Sequence, residues 1–112
     1  MNYVIGVDIG TQSTKALLCD TSGHIVAQMS KGYHPDTPRP LWAEQHASVW
    51  LEATLASIAG SVERARAIVP GFEAAQVKSI CISSLYGGSG IPVDEDLNPL
   101  HPCLIWMDRR AE

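Results

Sequence analysis

No stretch of this sequence is apolar for the roughly 18 residues that a membrane span requires. Nor does any stretch concentrate the lysine and arginine that would neutralise nucleic-acid phosphates or an anionic lipid surface. The net charge is −4, with 8 basic and 12 acidic side chains interspersed, so neither nucleic acid nor membrane is expected as a partner. Low-complexity tracts, internal repeats and linkers are absent too. Cysteine is scarce. The three residues, Cys19, Cys81 and Cys103, are odd in number and lack C-x-x-C spacing, which argues against a disulfide frame or a thiolate zinc site. Each lies in an apolar stretch, so reduced, buried thiols are expected. His24, His34, His46 and His101 share no ligand spacing. Met1 leads straight into a strand-like run rather than a basic segment followed by a long apolar one, so the expected location is the cytoplasm.

What is present is 112 residues of globular composition, 46% hydrophobic and 18% charged, enough for one modest domain. Tyr3 to Ile9 is short, β-branched and closed by Gly10, which predicts a buried strand. Thr14 to Asp20 predicts a second strand, and Gly10-Thr11-Gln12-Ser13 is short enough to make the pair a hairpin. A turn at Thr21-Ser22-Gly23 leads to a third strand over residues 24–32. Pro35, Pro38 and Pro40 impose an extended loop. Residues 47–69 predict a helix with Leu51, Leu55, Ile58, Val62, Ala65 and Val69 along one apolar face, stopped by Pro70-Gly71. Val77 to Ser83 is the next strand, Gly87-Gly88-Ser89-Gly90 a bend, Ile91 to Val93 a brief strand, Asp94 to Asn98 a turn, and Leu104 to Trp106 a last short strand. An antiparallel meander followed by a helical crossover makes a mixed sheet. That is an α/β, ribonuclease-H-like arrangement in an incomplete domain.

The segment richest in chemistry runs from Asp8 to Lys15. A carboxylate at the end of a buried strand is costly without a cation or hydrogen-bond donors. The turn beyond it offers backbone N–H groups around Gly10, the hydroxyls of Thr11, Ser13 and Thr14, and the ammonium of Lys15, all suited to an anion. Asp8 is then the candidate ligand for Mg²⁺, through water. Alternatively, Asp8 caps an ordinary hairpin whose hydroxyls face solvent. Other phosphate motifs fail: there is no G-x-x-x-x-G-K-[ST], and Gly87 to Gly90 lacks the helix of a dinucleotide fingerprint.

Ile5-Gly6-Val7-Asp8-Ile9-Gly10-Thr11 resembles the first phosphate hairpin of the actin, Hsp70 and sugar-kinase superfamily. Leu41-Trp42-Ala43-Glu44-Gln45, the segment Ile82 to Gly88, and Leu104-Ile105-Trp106-Met107-Asp108-Arg109-Arg110 narrow the resemblance to the FGGY carbohydrate kinases. Order and spacing are similar along essentially the whole chain, which then corresponds to residues 1–112 as the N-terminal part of the first kinase domain. The resemblance implies ATP as cofactor with its phosphates near Asp8, Gly10, Thr11, Gln12, Ser13 and Lys15, and Mg²⁺ beside Asp8. Lys15 stands where several relatives have arginine, keeping the charge but losing the planar fork.

The resemblance also implies that Ser84-Leu85-Tyr86-Gly87 contacts a sugar or polyol, with Tyr86 and Gly87 as substrate candidates. The alternative for Tyr86 is a place in the core. Xylulose kinases show Gln-Met-His-Gly here and glycerol kinases Gln-Arg-Glu. This chain shows neither, which points to another ketose or polyol. Asp108 and Arg109 either border the pocket or form a structural ion pair, and Trp42 and Trp106 read as packing residues. The family's general base and adenosine pocket lie downstream in chains several times longer, so these 112 residues alone are expected to transfer no phosphate.

Two other classes compete. A ribonuclease-H-type nuclease needs carboxylates on the helix and on the fourth strand. Glu52 and Glu63 are available, but Ser79 to Ser84 offers no acid. A non-catalytic sugar- or nucleotide-binding module, or an inactive homologue, is the second. A truncated sheet is also expected to expose edges that favour a homodimer.

Overall fold

The computed structural model describes residues 1–84 and 88–112. Three strands, β1 (Tyr3–Ile9), β2 (Ser13–Asp20) and β3 (Ile25–Gly32), form the expected meander. A short β4 (Glu44–Gln45) precedes the helix α1 (Ala47–Ile68), and one 3₁₀ turn (Ala74–Gln76) precedes β5 (Val77–Ser84). A last short strand, β6 (Cys103–Leu104), pairs with β4. The main sheet has the order β3-β2-β1-β5, with β1 antiparallel to β2 and parallel to β5. The helical crossover from β3 to β5, which returns β5 parallel to β1, and the mixed sheet agree with the expected architecture.

Burial alternates along β1 and β2 as a half-covered sheet requires. Tyr3, Ile5 and Val7 from β1, and Thr14, Ala16 and Leu18 from β2, are buried on the face that packs on α1. Phe72 closes one end of this core, its ring edge-on to Tyr3 with centroids 5.2 Å apart. The full burial of Leu18 contributes about 2–3 kcal/mol.

The helix meets the sheet with a different stripe from the one its leucines suggest. Ala53, Thr54, Ser57, Ser61 and Ala65 are the buried positions. Ile58, Val62 and Val69 pack against the core, but Leu51 and Leu55 are 60% and 58% exposed. Leu51 lies about 120° round the helix from Ser57 at 100° per residue. Small residues face the sheet because the helix lies close to it. The Ser57 and Ser61 hydroxyls reach the carbonyls of Thr14 and Ala16 at 3.3 and 3.4 Å. A Cβ on Gly60 would sit 2.6 Å from Cγ of Met29 on β3.

Beyond β5 the chain departs from expectation. The strand foreseen at 91–93 reduces to a single bridge between Val93 and Pro99. The foreseen last strand falls earlier, at Cys103–Leu104, where Glu44 and Gln45 offer the backbone partners. Ala43, Cys103 and Ile105 form a second small core with Trp50 and Ile91 against it. The expectation of three buried thiols holds only for Cys103. Cys19 is half-buried, and Cys81 is exposed because β5 is an edge strand with nearly all of its residues exposed. All three are free thiols.

Candidate functional site

The turn between β1 and β2 closes with a hydrogen bond from the Gly10 N–H to the Ser13 carbonyl, 2.8 Å. A Cβ at position 10 would lie 3.1 Å from that same carbonyl oxygen, which favours glycine. Its three free carbonyls are each held from behind. The Tyr33 hydroxyl donates to Gly10 O at 2.5 Å, the Gln45 side-chain amide to Thr11 O at 2.8 Å, and the Tyr33 N–H to Gln12 O at 2.9 Å. A trans peptide is planar, with its N–H opposed to its C=O. Each N–H therefore points away from the group that holds the carbonyl of its own peptide: Thr11 from the Tyr33 hydroxyl, Gln12 from the Gln45 amide and Ser13 from the Tyr33 main chain. Among the described residues, the Thr11 and Gln12 amides have no backbone acceptor. Amides without a partner in a tight turn are donors that can bind an anion.

The strands beneath the turn add charge of both signs. Register places Asp8 opposite Lys15 on β2 and opposite Ser83 on β5, with Ser30 of β3 beyond Lys15. These side chains share the sheet face turned away from α1. Asp8 and Lys15 are exposed, and neither has an ion-pair partner among the described residues. A depression of about 380 Å³ opens here, lined by Gly6, Asp8, Lys15, Leu17, Cys81 and Ser83. Gly6 helps form it, since no atom lies within 4 Å of where its Cβ would be. No group of three or more His, Cys, Asp or Glu side chains able to hold a metal occurs among the described residues. Asp8 is thus a lone carboxylate that could hold a divalent ion only together with oxygens from a ligand or water.

Tyr33 also bridges to the fully buried Thr14, 2.9 Å between hydroxyl oxygens. Burial is the main cause that pushes the Tyr33 phenol above its ordinary pKa of 10.0, with the Asp8 charge adding to it. The neutral donor is therefore preserved at neutral pH.

The segment after β6 reaches back to the same turn. The Trp106 indole N–H donates to Thr11 Oγ1 at 2.9 Å, although the ring is 59% exposed. Thr11 is thus held at its hydroxyl by Trp106 and at its carbonyl by Gln45. Gln45, 2% exposed, is held in turn by the Trp50 indole N–H on its Oε1 at 3.0 Å.

Asp108 and Arg109 do not pair with each other. Asp108 accepts the Ala43 N–H at 2.7 Å and a two-pronged contact from Arg110 at 2.7 and 2.9 Å. Arg110 also bonds Glu44 at 2.8 Å and stacks over Trp42 at 3.8 Å. The Arg110 hydrogen bonds are the main cause that holds the Asp108 carboxyl down at about 2. Arg109 makes an exposed contact with Glu112, 3.2 Å. The ion pair that orders this segment is therefore Asp108–Arg110, built on Trp42.

Of the residues singled out in the sequence, Asp8, Gly10, Thr11, Gln12, Ser13 and Lys15 gather at one end of one sheet. Asp108 and Arg109 lie in the segment that braces that end. Tyr86 and Gly87 lie outside the described residues. Tyr33, Gln45, Trp50 and Arg110 carry contacts that pattern reading did not assign. Gln45 had a local signal, as an amide next to a charged residue just before a helix, but its partner is 34 positions away.

A model of the N-terminal domain of the FGGY family of carbohydrate kinases matches residues 3–112. The chain is 32% identical over 111 residues to a xylulose kinase of Staphylococcus xylosus, covering 99% of this chain and 21% of that protein. It is 35% identical over 111 residues to a gluconokinase of Bacillus subtilis, covering 99% of this chain and 20% of that protein. The xylulose kinase structure from Rhodospirillum rubrum superposes with a TM-score of 0.82 at 27% identity, over 97% of this chain and 21% of that one. A gluconate kinase structure from Lactobacillus acidophilus gives 0.80 at 28% identity, over 96% and 20%. The chain thus spans about a fifth of the length of the curated relatives it matches.

Proposed function

Because this chain belongs to the FGGY family of carbohydrate kinases, we propose that it supplies the phosphate-gripping end of an enzyme moving the γ-phosphoryl group of ATP to a hydroxyl of a sugar or polyol. One observation carries this reading. The β1–β2 turn has its carbonyls held back and its amides turned outward, above a sheet face that sets Asp8 beside Lys15. When bound, Mg·ATP supplies the phosphoryl group and a metal that screens its charge. Residues 1–112 are the N-terminal part of the first kinase domain in this reading.

The chain's own contribution is positioning and charge stabilisation, the main requirements of phosphoryl transfer. The Thr11 and Gln12 amides and the Thr11 and Ser13 hydroxyls orient the phosphates. The Lys15 ammonium offsets their charge, and Asp8 would hold Mg²⁺ through water. The acceptor in this reading is a small sugar or polyol contacted by Tyr86 and Gly87, with Asp108 and Arg109 as further candidates, and Asp108 orders the Ala43 segment through its N–H. The absence of the Gln-Met-His-Gly and Gln-Arg-Glu patterns at residues 84–87 favours a ketose or polyol other than xylulose or glycerol. Among the described residues no helix is long and apolar enough to cross a membrane, and a cytoplasmic site of action follows from the reaction proposed. The uncovered β5 edge favours a homodimer of the isolated chain.

Calorimetric titration of Mg·ATP into the complete protein that carries this chain tests the reading. Lys15→Met and Asp8→Asn should each weaken binding by about tenfold or more, since a charge-assisted contact contributes about 1.5–3 kcal/mol. Unchanged affinity in both variants overturns the reading. Turnover that depends on an added ketose or polyol supports the kinase, whereas binding without turnover supports a binding module.

A further inference from the structure

We infer that Gln45, held by Trp50, is a positioning residue for the phosphate-binding turn and sets which way its central peptide faces. The inference rests on the functional reading above and extends it to residues that touch no ligand. The Thr11–Gln12 peptide is the middle of the turn. Its orientation decides whether an anion above the turn meets an N–H donor or a carbonyl oxygen, which would repel it. No main-chain group among the described residues donates to the Thr11 carbonyl. The Gln45 Nε2–H does so at 2.8 Å. The Gly10 and Gln12 carbonyls are both tied to Tyr33, whereas the middle one depends on a side chain from another sheet.

A glutamine side chain can present either oxygen or nitrogen at nearly the same point, so the amide must itself be oriented. Trp50 does this. Its indole N–H can only donate, and it meets Gln45 Oε1 at 3.0 Å, leaving Nε2 to face Thr11. Gln45 is 2% exposed, so water is poorly placed to substitute for either contact. Its backbone is fixed by pairing with Cys103 in the two-stranded sheet of β4 and β6. The relay Trp50 to Gln45 to Thr11 C=O therefore passes the rigidity of α1 and the small sheet to the turn. Its product is a Gln12 amide aimed outward before any ligand arrives, which lowers the ordering cost of binding.

The test uses the complete protein carrying this chain, with Mg·ATP affinity measured by calorimetry and the melting temperature measured without nucleotide. Gln45→Met keeps the side-chain length and loses both hydrogen bonds. It should weaken Mg·ATP about tenfold, and raise KM for ATP more than it lowers kcat, while the melting temperature falls only by the cost of the stranded Trp50 N–H and recovers in part when Trp50→Phe is added. Trp50→Phe keeps an aromatic ring but loses the donor, and should weaken binding by less. Because Trp50 acts through Gln45, the double variant should bind no more weakly than Gln45→Met alone. Equal affinity of Gln45→Met and the parent overturns the inference while leaving the functional reading intact, and so do additive losses in the double variant. If Gln45→Met does not fold, Trp50→Phe decides, and unchanged affinity in it overturns the inference. A parent protein indifferent to Lys15→Met and Asp8→Asn removes the functional reading and this inference with it.

Discussion

Replacing Tyr33 by phenylalanine removes one oxygen and should disturb both sides of the turn. The phenol has a single proton, which goes to Gly10 O, so the Thr14 hydroxyl must be the donor in the 2.9 Å contact between them. In Tyr33→Phe the Gly10 carbonyl is half-buried and can turn to water. Thr14, at 0% exposure, cannot. An unsatisfied buried hydroxyl costs about 1–3 kcal/mol, a sizeable part of the roughly 5–15 kcal/mol that stabilises a domain. Thr14→Val removes the stranded group with little change of shape, and alone should cost about 0.5–1.5 kcal/mol. The double variant should be no less stable than Tyr33→Phe alone, a coupling of about 1 kcal/mol. Urea unfolding of the purified protein followed by circular dichroism measures all four corners of the cycle. If the two losses add to within about 0.5 kcal/mol, the hydroxyls are not coupled and the bridging role of Tyr33 is wrong.

Acid stability should depend on the Asp108–Arg110 pair. Asp108 is held at about 2, below its ordinary 3.8, so the unfolded state takes up its proton first. This contribution is complete above about pH 4 and is lost as pH falls towards 2. Asp20 and Asp94, both lowered by backbone hydrogen bonds, act in the same direction. In Arg110→Met the urea midpoint should fall at neutral pH and vary less between pH 4 and 2 than in the parent; an equally steep acid limb contradicts this. Thiol labelling of the 112-residue chain should modify Cys81 first and Cys103 last, in the order of their exposure. Equal rates would show that β5 is covered or that the β6 region opens.

The meander, the long helix and the parallel return to β5 were legible because local patterns determine them: β-branched runs, short turns, and a stop at Pro70-Gly71. The gathering of Asp8, Thr11, Ser13 and Lys15 was legible for the same reason, since a tight hairpin fixes its own register. The helix face was not. Leu51 and Leu55 fit the spacing of an apolar stripe, but the short distance between α1 and the sheet selects Ser57, Ser61 and Gly60 instead. That distance is a tertiary quantity. The pairing of Asp108 was missed for a related reason. Arg109 is the sequence neighbour, but only Arg110 can stack on Trp42 and reach Glu44 as well. The burial expected for Cys81 failed because its apolar triplet lies on an edge strand that no other strand among the described residues covers.

The contacts on Thr11 also impose an order of assembly during synthesis. Its carbonyl partner lies 34 residues downstream and its hydroxyl partner 95 residues downstream. The β1–β2–β3 hairpins close over short spans and can form first, whereas contacts between distant positions carry a larger loop-closure cost and form later. A nascent chain thus holds the turn in outline long before it holds it rigidly. The last fastening arrives only when Trp106, near the end of these 112 residues, has left the ribosome.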